Sequence, residues 1–310
     1  MPPVTVAAAA PDQQAAALRL AFGHLPDADR DGRVANALAM LQAGELDPAG
    51  LLVARTGGGP VGAMLCQPMP GANGLLWPPR AAPGAPAGAV TDALVRHAAG
   101  WLRSLGVKLA QAFVPEADEP LTAPLARNGF PHVTDLWHLR HDLESAVISQ
   151  QSLVNSSGTA NLRWLTYPEC DPGLFHRTLL ASYEETLDCP EISGVRTLEE
   201  VLAGLRTDGH DPSRWWLLEW AGAAAGVLIL SAPVGAAAWD LAYLGVVPAM
   251  RGRGCGRALV AQALRAARAG GADALTLFVD HRNAPARRLY ADAGFRACDR
   301  WKVFLAVWRD

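Results

Sequence analysis

A hexapeptide late in the chain, Arg251-Gly252-Arg253-Gly254-Cys255-Gly256, alternates glycine with larger residues and runs directly into an Ala- and Leu-rich stretch. Glycine adopts positive φ without steric cost, so such a turn can aim successive N–H groups outward. The start of the following helix adds unpaired donors and the positive end of its dipole. The product is an anion cradle, and Arg251, Arg253 and Arg257 add charge where a pyrophosphate would lie. The competing reading is a tight turn and nothing more, because glycine is the default wherever backbone is strained. Two phosphate motifs are excluded: no Gly-Lys-Ser/Thr follows, and neither the spacing nor the late position suits a dinucleotide fingerprint. RNA-binding RG-rich segments are long and disordered, whereas this turn is short and flanked by regular elements.

Other residue types capable of chemistry surround it. Tyr290 follows Asn283 by seven residues in a helical pattern and returns to the same face after two turns. Asp240 stands eleven residues before Arg251 on the strand that leads into the turn, and Glu219 lies on the preceding hairpin. The segment ASYEETLDCPE carries Tyr183, Glu184, Glu185, Asp188 and Glu191, which either draw a cationic ligand or form a solvated acidic helix end. Cys255 inside the turn reads as a small filler and His281 as a surface residue; nothing marks either as a nucleophile.

The elements that position these residues follow from periodicity. Trp215 to Trp220 and Gly226 to Leu230, around AGAAA, read as a hairpin; a strand from Asp240 to Val247 and a helix from Gly256 to Ala269 come next. The helix rests on Leu259, Val260, Ala263, Leu264 and Ala267 at helical spacing. The N-terminal half follows the same plan: a hairpin of Leu51 to Ala54 and Val61 to Cys66, a strand at Gly74 to Trp77, and a helix from Asp92 to Leu105. At an offset of 165 residues, 106–130 aligns without a gap on 271–295, with Gly106, Phe113, Val114, Pro120, Gly129 and Phe130 opposite Gly271, Phe278, Val279, Pro285, Gly294 and Phe295. The chain therefore reads as two copies of one α/β module. A polar, small-residue stretch suggests the domain boundary, giving 1–145, a linker at 146–160, and 161–310.

The N-terminal copy is degenerate. Opposite the cradle stand Pro86 to Thr91 in a proline-rich segment without the arginines, Asp118 takes the place of Asn283, and Leu125 that of Tyr290. Such a module shapes the substrate pocket, braces its neighbour or binds a ligand of its own; the residues do not choose.

Composition narrows the class. At 310 residues, half of them apolar, two globular domains are expected, and a net charge of −3 lacks the basic excess that nucleic-acid binding needs. Five cysteines at wide spacings, with no Cys-x-x-Cys unit, suggest neither zinc nor a disulfide framework and fit a reducing cytoplasm. No apolar run is long enough for a membrane span, and the N-terminus does not read as a signal peptide.

With Arg251, Gly254 and Gly256 in a Gln/Arg-x-x-Gly-x-Gly/Ala pattern, and Asn283-Ala-Pro-Ala-Arg-Arg-Leu289-Tyr290 through Gly294-Phe295 after it, the chain resembles the GNAT superfamily of N-acetyltransferases. The resemblance covers about 150 residues well and extends weakly through the repeat, as in tandem two-module members. It implies an α/β (α+β) fold with a mixed sheet, acetyl-CoA as co-substrate, no metal, and an amine acceptor attacking directly in a ternary complex. In that reading the backbone of Arg251, Gly252, Arg253, Gly254, Cys255, Gly256 and Arg257 holds the pyrophosphate, Leu244, Gly245 and Val246 pair with pantetheine, and Asn283 helps hold the cofactor. Tyr290 protonates the departing thiolate. Asp240 stands where the family often carries a glutamate base, with Glu219 as the alternative, and Tyr183 and Glu184 face the substrate. The rival function is an acyl-CoA-binding sensor without turnover.

Overall fold

The computed structural model describes residues 3–57, 59–143, 161–206, 210–233 and 235–309. Its contacts divide the chain into two units, Met1–Thr134 with Gly194–Arg196 and Trp301–Asp310, and Asp135–Ser193 with Thr197–Arg300.

The first unit carries β1 (Thr5–Ala8), α1 (Gln14–Ala21), α2 (Asp27–Ala43), β2 (Leu51–Thr56), β3 (Gly59–Met69), β4 (Asn73–Leu76), β5 (Arg80–Ala81), α3 (Ala87–Ser104), β6 (Leu109–Pro115) and α4 (Ala123–Arg127). Strands run in the order β1-β2-β3-β4-β6, followed by residues 301–307 antiparallel to β6. The central strand β3 reads as an unbroken apolar run because both its faces are covered: Ala63 and Leu65 pack with Leu18 of α1, while Met64 and Cys66 pack with Leu94 and Ala98 of α3. Helix α3 begins at Ala87, five residues ahead of the expected Asp92, because Val90 extends its buried stripe upstream.

The second unit repeats the scheme. It holds the Leu136–Asp142 part of β7 (His132–Asp142), then β8 (Leu162–Thr166), α5 (Pro172–Ser182), α6 (Leu198–Leu205), β9 (Trp215–Trp220), β10 (Ala223–Ser231), β11 (Ala238–Val246), α7 (Cys255–Ala269), β12 (Ala274–Asp280), α8 (Ala284–Asp292) and the start of β13 (Arg296–Val307). The strand order is β8-β9-β10-β11-β12-β7. On β10, Val227 and Ile229 face Phe175 and Leu179 of α5, while Leu228 and Leu230 face Leu259 and Val260 of α7. All five apolar residues expected on the buried face of α7 are buried.

Two strands cross the division expected from sequence. Residues 135–142 belong to the second unit, where Leu136 to Asp142 complete the ladder on β12, and residues 301–310 belong to the first, where Trp301 to Val307 complete the ladder on β6. A strand joins whichever edge satisfies its backbone groups, which local composition does not report. The expected linker at 146–160 lies outside the described residues.

Candidate active site

The cradle turn forms because its glycines take backbone angles closed to other residues. Gly252 has φ of 74° and Gly254 φ of 90°, and Gly254 caps α7 without any side chain over the first N–H groups. Gly256 serves differently: a Cβ there would stand 3.1 Å from Leu289 of α8, so this glycine sets the close approach of α7 and α8.

The strand that delivers the turn is irregular. β11 pairs with β10 from Val246 to Asp240, but Tyr243 and Leu241 oppose the consecutive residues Ile229 and Leu230, leaving Ala242 as an extra residue in a bulge. On its other edge β11 pairs in parallel with β12 through Ala238, Trp239 and Asp240 only. Beyond that point the two strands have no ladder between them, although β11 continues to Val246 and β12 to Asp280. A cleft of about 300 Å³ opens there, lined by Leu244, Gly245, Val246, Arg251, Gly252 and Gly256 together with Asp188, Asn283 and Leu289.

These features converge on one family. Residues 179–295 match the model of the Acetyltransferase (GNAT) family. This stretch of the chain is similar to GNAT domains. The chain is also similar to mycothiol acetyltransferases from Beutenbergia cavernae, 35% identical over 199 residues and 62% of this chain, and from Thermobispora bispora, 31% identical over 193 residues and 60% of this chain. The matches span 65% and 61% of those two proteins, just under two thirds of their length. In fold it is similar to a GCN5-related N-acetyltransferase from Sphaerobacter thermophilus, with a TM-score of 0.61 at 18% identity over 100% of this chain and 98% of that one. A tandem GNAT protein from the clavulanic acid biosynthesis pathway gives a TM-score of 0.54 at 18% identity over 98% of each chain.

Most of the residues expected at the site fall into three groups. Leu244, Gly245, Val246, Arg251, Gly252, Gly256 and Asn283 line the cleft. Arg253, Gly254, Cys255 and Arg257 belong to the turn and helix start but do not line it; Cys255 is buried, which pushes its thiol pKa up, and exposed Arg257 lies 3.8 Å from Asp292. Asp240 and Glu219 are not brought to the cleft. The Asp240 carboxylate accepts from the Thr276 hydroxyl where β11 and β12 are still paired, and Glu219, on β9, pairs with Arg163 at 3.4 Å.

The Arg251 side chain departs from its expected use. Nε donates to the Val246 carbonyl at 3.1 Å, one terminal nitrogen to the Glu184 carbonyl at 2.5 Å, and the other lies 3.6 Å from Glu185. The guanidinium thus staples the end of β11 to the segment after α5, with its charge used locally rather than aimed at a phosphate. Glu184 takes part through its backbone. Tyr183 packs with its ring tilted by 54° against Tyr243 at 5.0 Å; the Tyr243 hydroxyl shares a 2.7 Å hydrogen bond with Ser182, and burial raises its pKa. A side chain at Gly245 would collide with both Ser182 and Tyr243.

Tyr290 is not among the residues that line the cleft: it is 6% exposed and packs edge-on against Phe295 at 5.6 Å. Burial and the negative charge of Asp188 hold its phenol protonated far above neutral pH. Asn283 caps α8 by accepting from the Ala286 N–H at 3.2 Å and hydrogen-bonds the Asp188 carboxylate as well.

Sequence reading missed a polar knot beside the cleft. Asp280, fully buried at the end of β12, accepts from the Cys189 N–H at 3.0 Å and the Arg282 N–H at 2.8 Å. Arg282 forks between Asp280, at 2.7 Å, and both oxygens of Glu191, at 2.6 and 3.0 Å, which holds the Glu191 carboxyl below its ordinary range. The signal was present as two carboxylates flanking Cys189 and an Asp-x-Arg, but only folding brings 188–191 against 280–283. Among the described residues no group of three His, Cys, Asp or Glu is placed to hold a metal, and no helix is long and apolar enough to cross a membrane.

Proposed function

We propose that the GNAT-like domain transfers an acetyl group from acetyl-CoA to a primary amine on a small molecule, by direct attack with both bound. The observation that carries this reading is the open edge of β11 beside the Gly252 and Gly254 turn. An extended, amide-bearing arm can pair with Leu244 and Gly245 as a missing strand would, while the turn and the start of α7 present N–H groups to a diphosphate. The residues present fit that cofactor, which supplies an activated acyl thioester.

The chain's own groups have separate tasks. Backbone N–H groups at the β11 bulge stabilise negative charge on the acyl oxygen as the amine adds, a contribution of about 3 kcal/mol to the barrier where such donors are preorganised. Tyr290, kept neutral by burial, is the donor that returns a proton to the leaving sulfur. Arg251 and Gly245 fix the backbone geometry on which both depend. The similarity to mycothiol acetyltransferases favours an amino-sugar conjugate as acceptor, in a layout like that of mycothiol synthase. Five free cysteines, two of them nearly inaccessible, are in keeping with a reducing cytoplasm.

Calorimetric titration of the full chain with acetyl-CoA tests the reading, beside Gly252→Asp. Aspartate is among the residues that best tolerate left-handed backbone, and its Cβ would meet no atom within 4 Å there, but its carboxylate sets a negative charge against the diphosphate. One equivalent bound by the wild type, and at least tenfold weaker binding by the variant, is expected. No binding at millimolar acetyl-CoA would refute the proposal, and binding without turnover of any amine would favour a sensor.

A further inference from the structure

With Asp240 and Glu219 directed elsewhere, the cleft needs a group to take the proton of an ammonium acceptor. We infer that Asp188, on the segment between α5 and α6, is that base and the anchor for the amine. The inference rests on the acetyl-transfer reading of the same cleft.

Asp188 lines the same cleft as Leu244 and Gly245. The residue as a whole is exposed, but its carboxylate end is turned into the knot, where Oδ1 accepts from the Asp280 N–H at 2.7 Å and Asn283 donates to it as well. Two hydrogen bonds from two different elements fix the carboxylate's direction, as a base that must meet a substrate nitrogen requires. Its neighbours are chemically committed. Arg282 spends its fork on Asp280 and Glu191, so among the described residues no Lys, Arg or His forms an ion pair with Asp188. A carboxylate on a cleft wall with its nearest cation held by two other carboxylates is a counter-charge for a cationic ligand.

The groups facing Asp188 also set its basicity. They are the Asp280 carboxylate from β12, Arg282 and Asn283 ahead of α8, Tyr290 on α8, Tyr243 on β11, and Cys189 and Glu191 on its own segment. Desolvation and the Asp280 charge outweigh the hydrogen bonds and Arg282, and raise its pKa above the usual carboxylate range. A carboxylate so raised is a stronger base than one in water. Its charge also helps to keep the Tyr243 and Tyr290 phenols protonated.

The proton balance closes. One proton of the ammonium passes to Asp188, and the freed nitrogen lone pair forms the C–N bond at the thioester carbonyl. The C–S bond breaks with its electron pair on sulfur, which takes the Tyr290 phenolic proton. The second N–H proton of the adduct restores the phenol, and Asp188 releases its proton to water.

The test uses the full chain with Asp188→Asn, which keeps an acceptor for the Asp280 N–H, and Asp188→Glu, which keeps the charge. Acetyl-CoA affinity is read by calorimetry and folding by thermal melt. Thiol release is followed from pH 5 to 9 with D-glucosamine, ethanolamine and spermidine as amine probes. Asp188→Asn should bind acetyl-CoA within about twofold of wild type, lose at least a hundredfold in kcat/KM and lose the acid limb of its pH profile, with Asp188→Glu recovering both in part. Unchanged turnover in Asp188→Asn, or an acid limb that persists in it, would overturn the assignment, as would acetyl-CoA binding with none of the probes acetylated. Failure of the wild type to bind acetyl-CoA would instead remove the reading on which the assignment stands.

Discussion

The two units build the same hairpin, crossover helix and following strand, and they differ most where the crossover helix begins. In the second unit β11 continues beyond its ladder with β12 and enters α7 through two glycines in left-handed backbone. In the first, β4 pairs with β6 through Asn73, Gly74 and Leu75, the positions opposite Ala238, Trp239 and Asp240, and the chain runs on in the same direction as β5, still antiparallel to β3 but shifted by one residue in register. Helix α3 is also three residues longer than α7, at 18 against 15, while both end at the same offset. The residues opposite Gly252, Arg253 and Gly254 are therefore Ala87, Gly88 and Ala89, already inside the helix, with Pro86 as cap. One extra helical turn capped by a proline removes the cradle, while the short parallel ladder and the one-residue shift beside it are kept in both units. Glycines outside the site keep their place: Gly106 and Gly271 have φ of 78° and 77°, and Gly129 and Gly294 both 90°. Divergence removed what a cofactor needs and left what the fold needs.

Breaking the strand scheme shared by both units should have the largest effect. A fragment of residues 161–310 lacks the ladder partner of β12 along its whole length, and its residues 301–307 lack β6. It should show no cooperative thermal transition by circular dichroism, whereas the full chain melts cooperatively. Next, replacing Arg251-Gly252-Arg253-Gly254 by the Pro-Ala-Gly-Ala found at 86–89 should weaken acetyl-CoA binding about a hundredfold or more by calorimetry. The reverse graft should create no second site, leaving the stoichiometry at one, because Asp118 keeps a negative charge at the place of Asn283.

The helix that follows offers a finer contrast. Tyr290→Phe should lower kcat by about a hundredfold with acetyl-CoA affinity unchanged, measured by thiol release, as removal of a general acid does. Leu125→Tyr, its counterpart at a fully buried position, should add no activity and lower stability by about 1–3 kcal/mol in urea unfolding, through overpacking. The smallest effects concern single methyl groups. Gly245→Ala drives a Cβ into Ser182 and Tyr243 and should cost about 2 kcal/mol, while Gly88→Ala, with nothing within 4 Å, should be neutral or stabilise by up to about 1 kcal/mol.

Much of this was legible in the residues. The repeat at 106–130 and 271–295, the paired hairpins, the buried stripe of α7 and the glycine cradle all rest on local pattern, which periodicity and backbone preference report directly. Tyr290 and Asn283 fall on one helix for the same reason. What only the tertiary structure decided is each outcome that depends on a distant partner. The bulge at Ala242 and the early end of the β11–β12 ladder create the cleft, yet the strand's residues would suit a regular ladder equally well. Asp240 meets Thr276 and Glu219 meets Arg163, so neither reaches the place its sequence position suggested. Arg251 turns to carbonyls after α5, and Asp188 meets Asp280 and Asn283 across 92 and 95 residues of chain. Sequence determined which backbone angles and which buried faces were available. Folding determined which charge faced which, because electrostatic and hydrogen-bond partners are fixed by distance in space, and residues remote in the chain supply most of them.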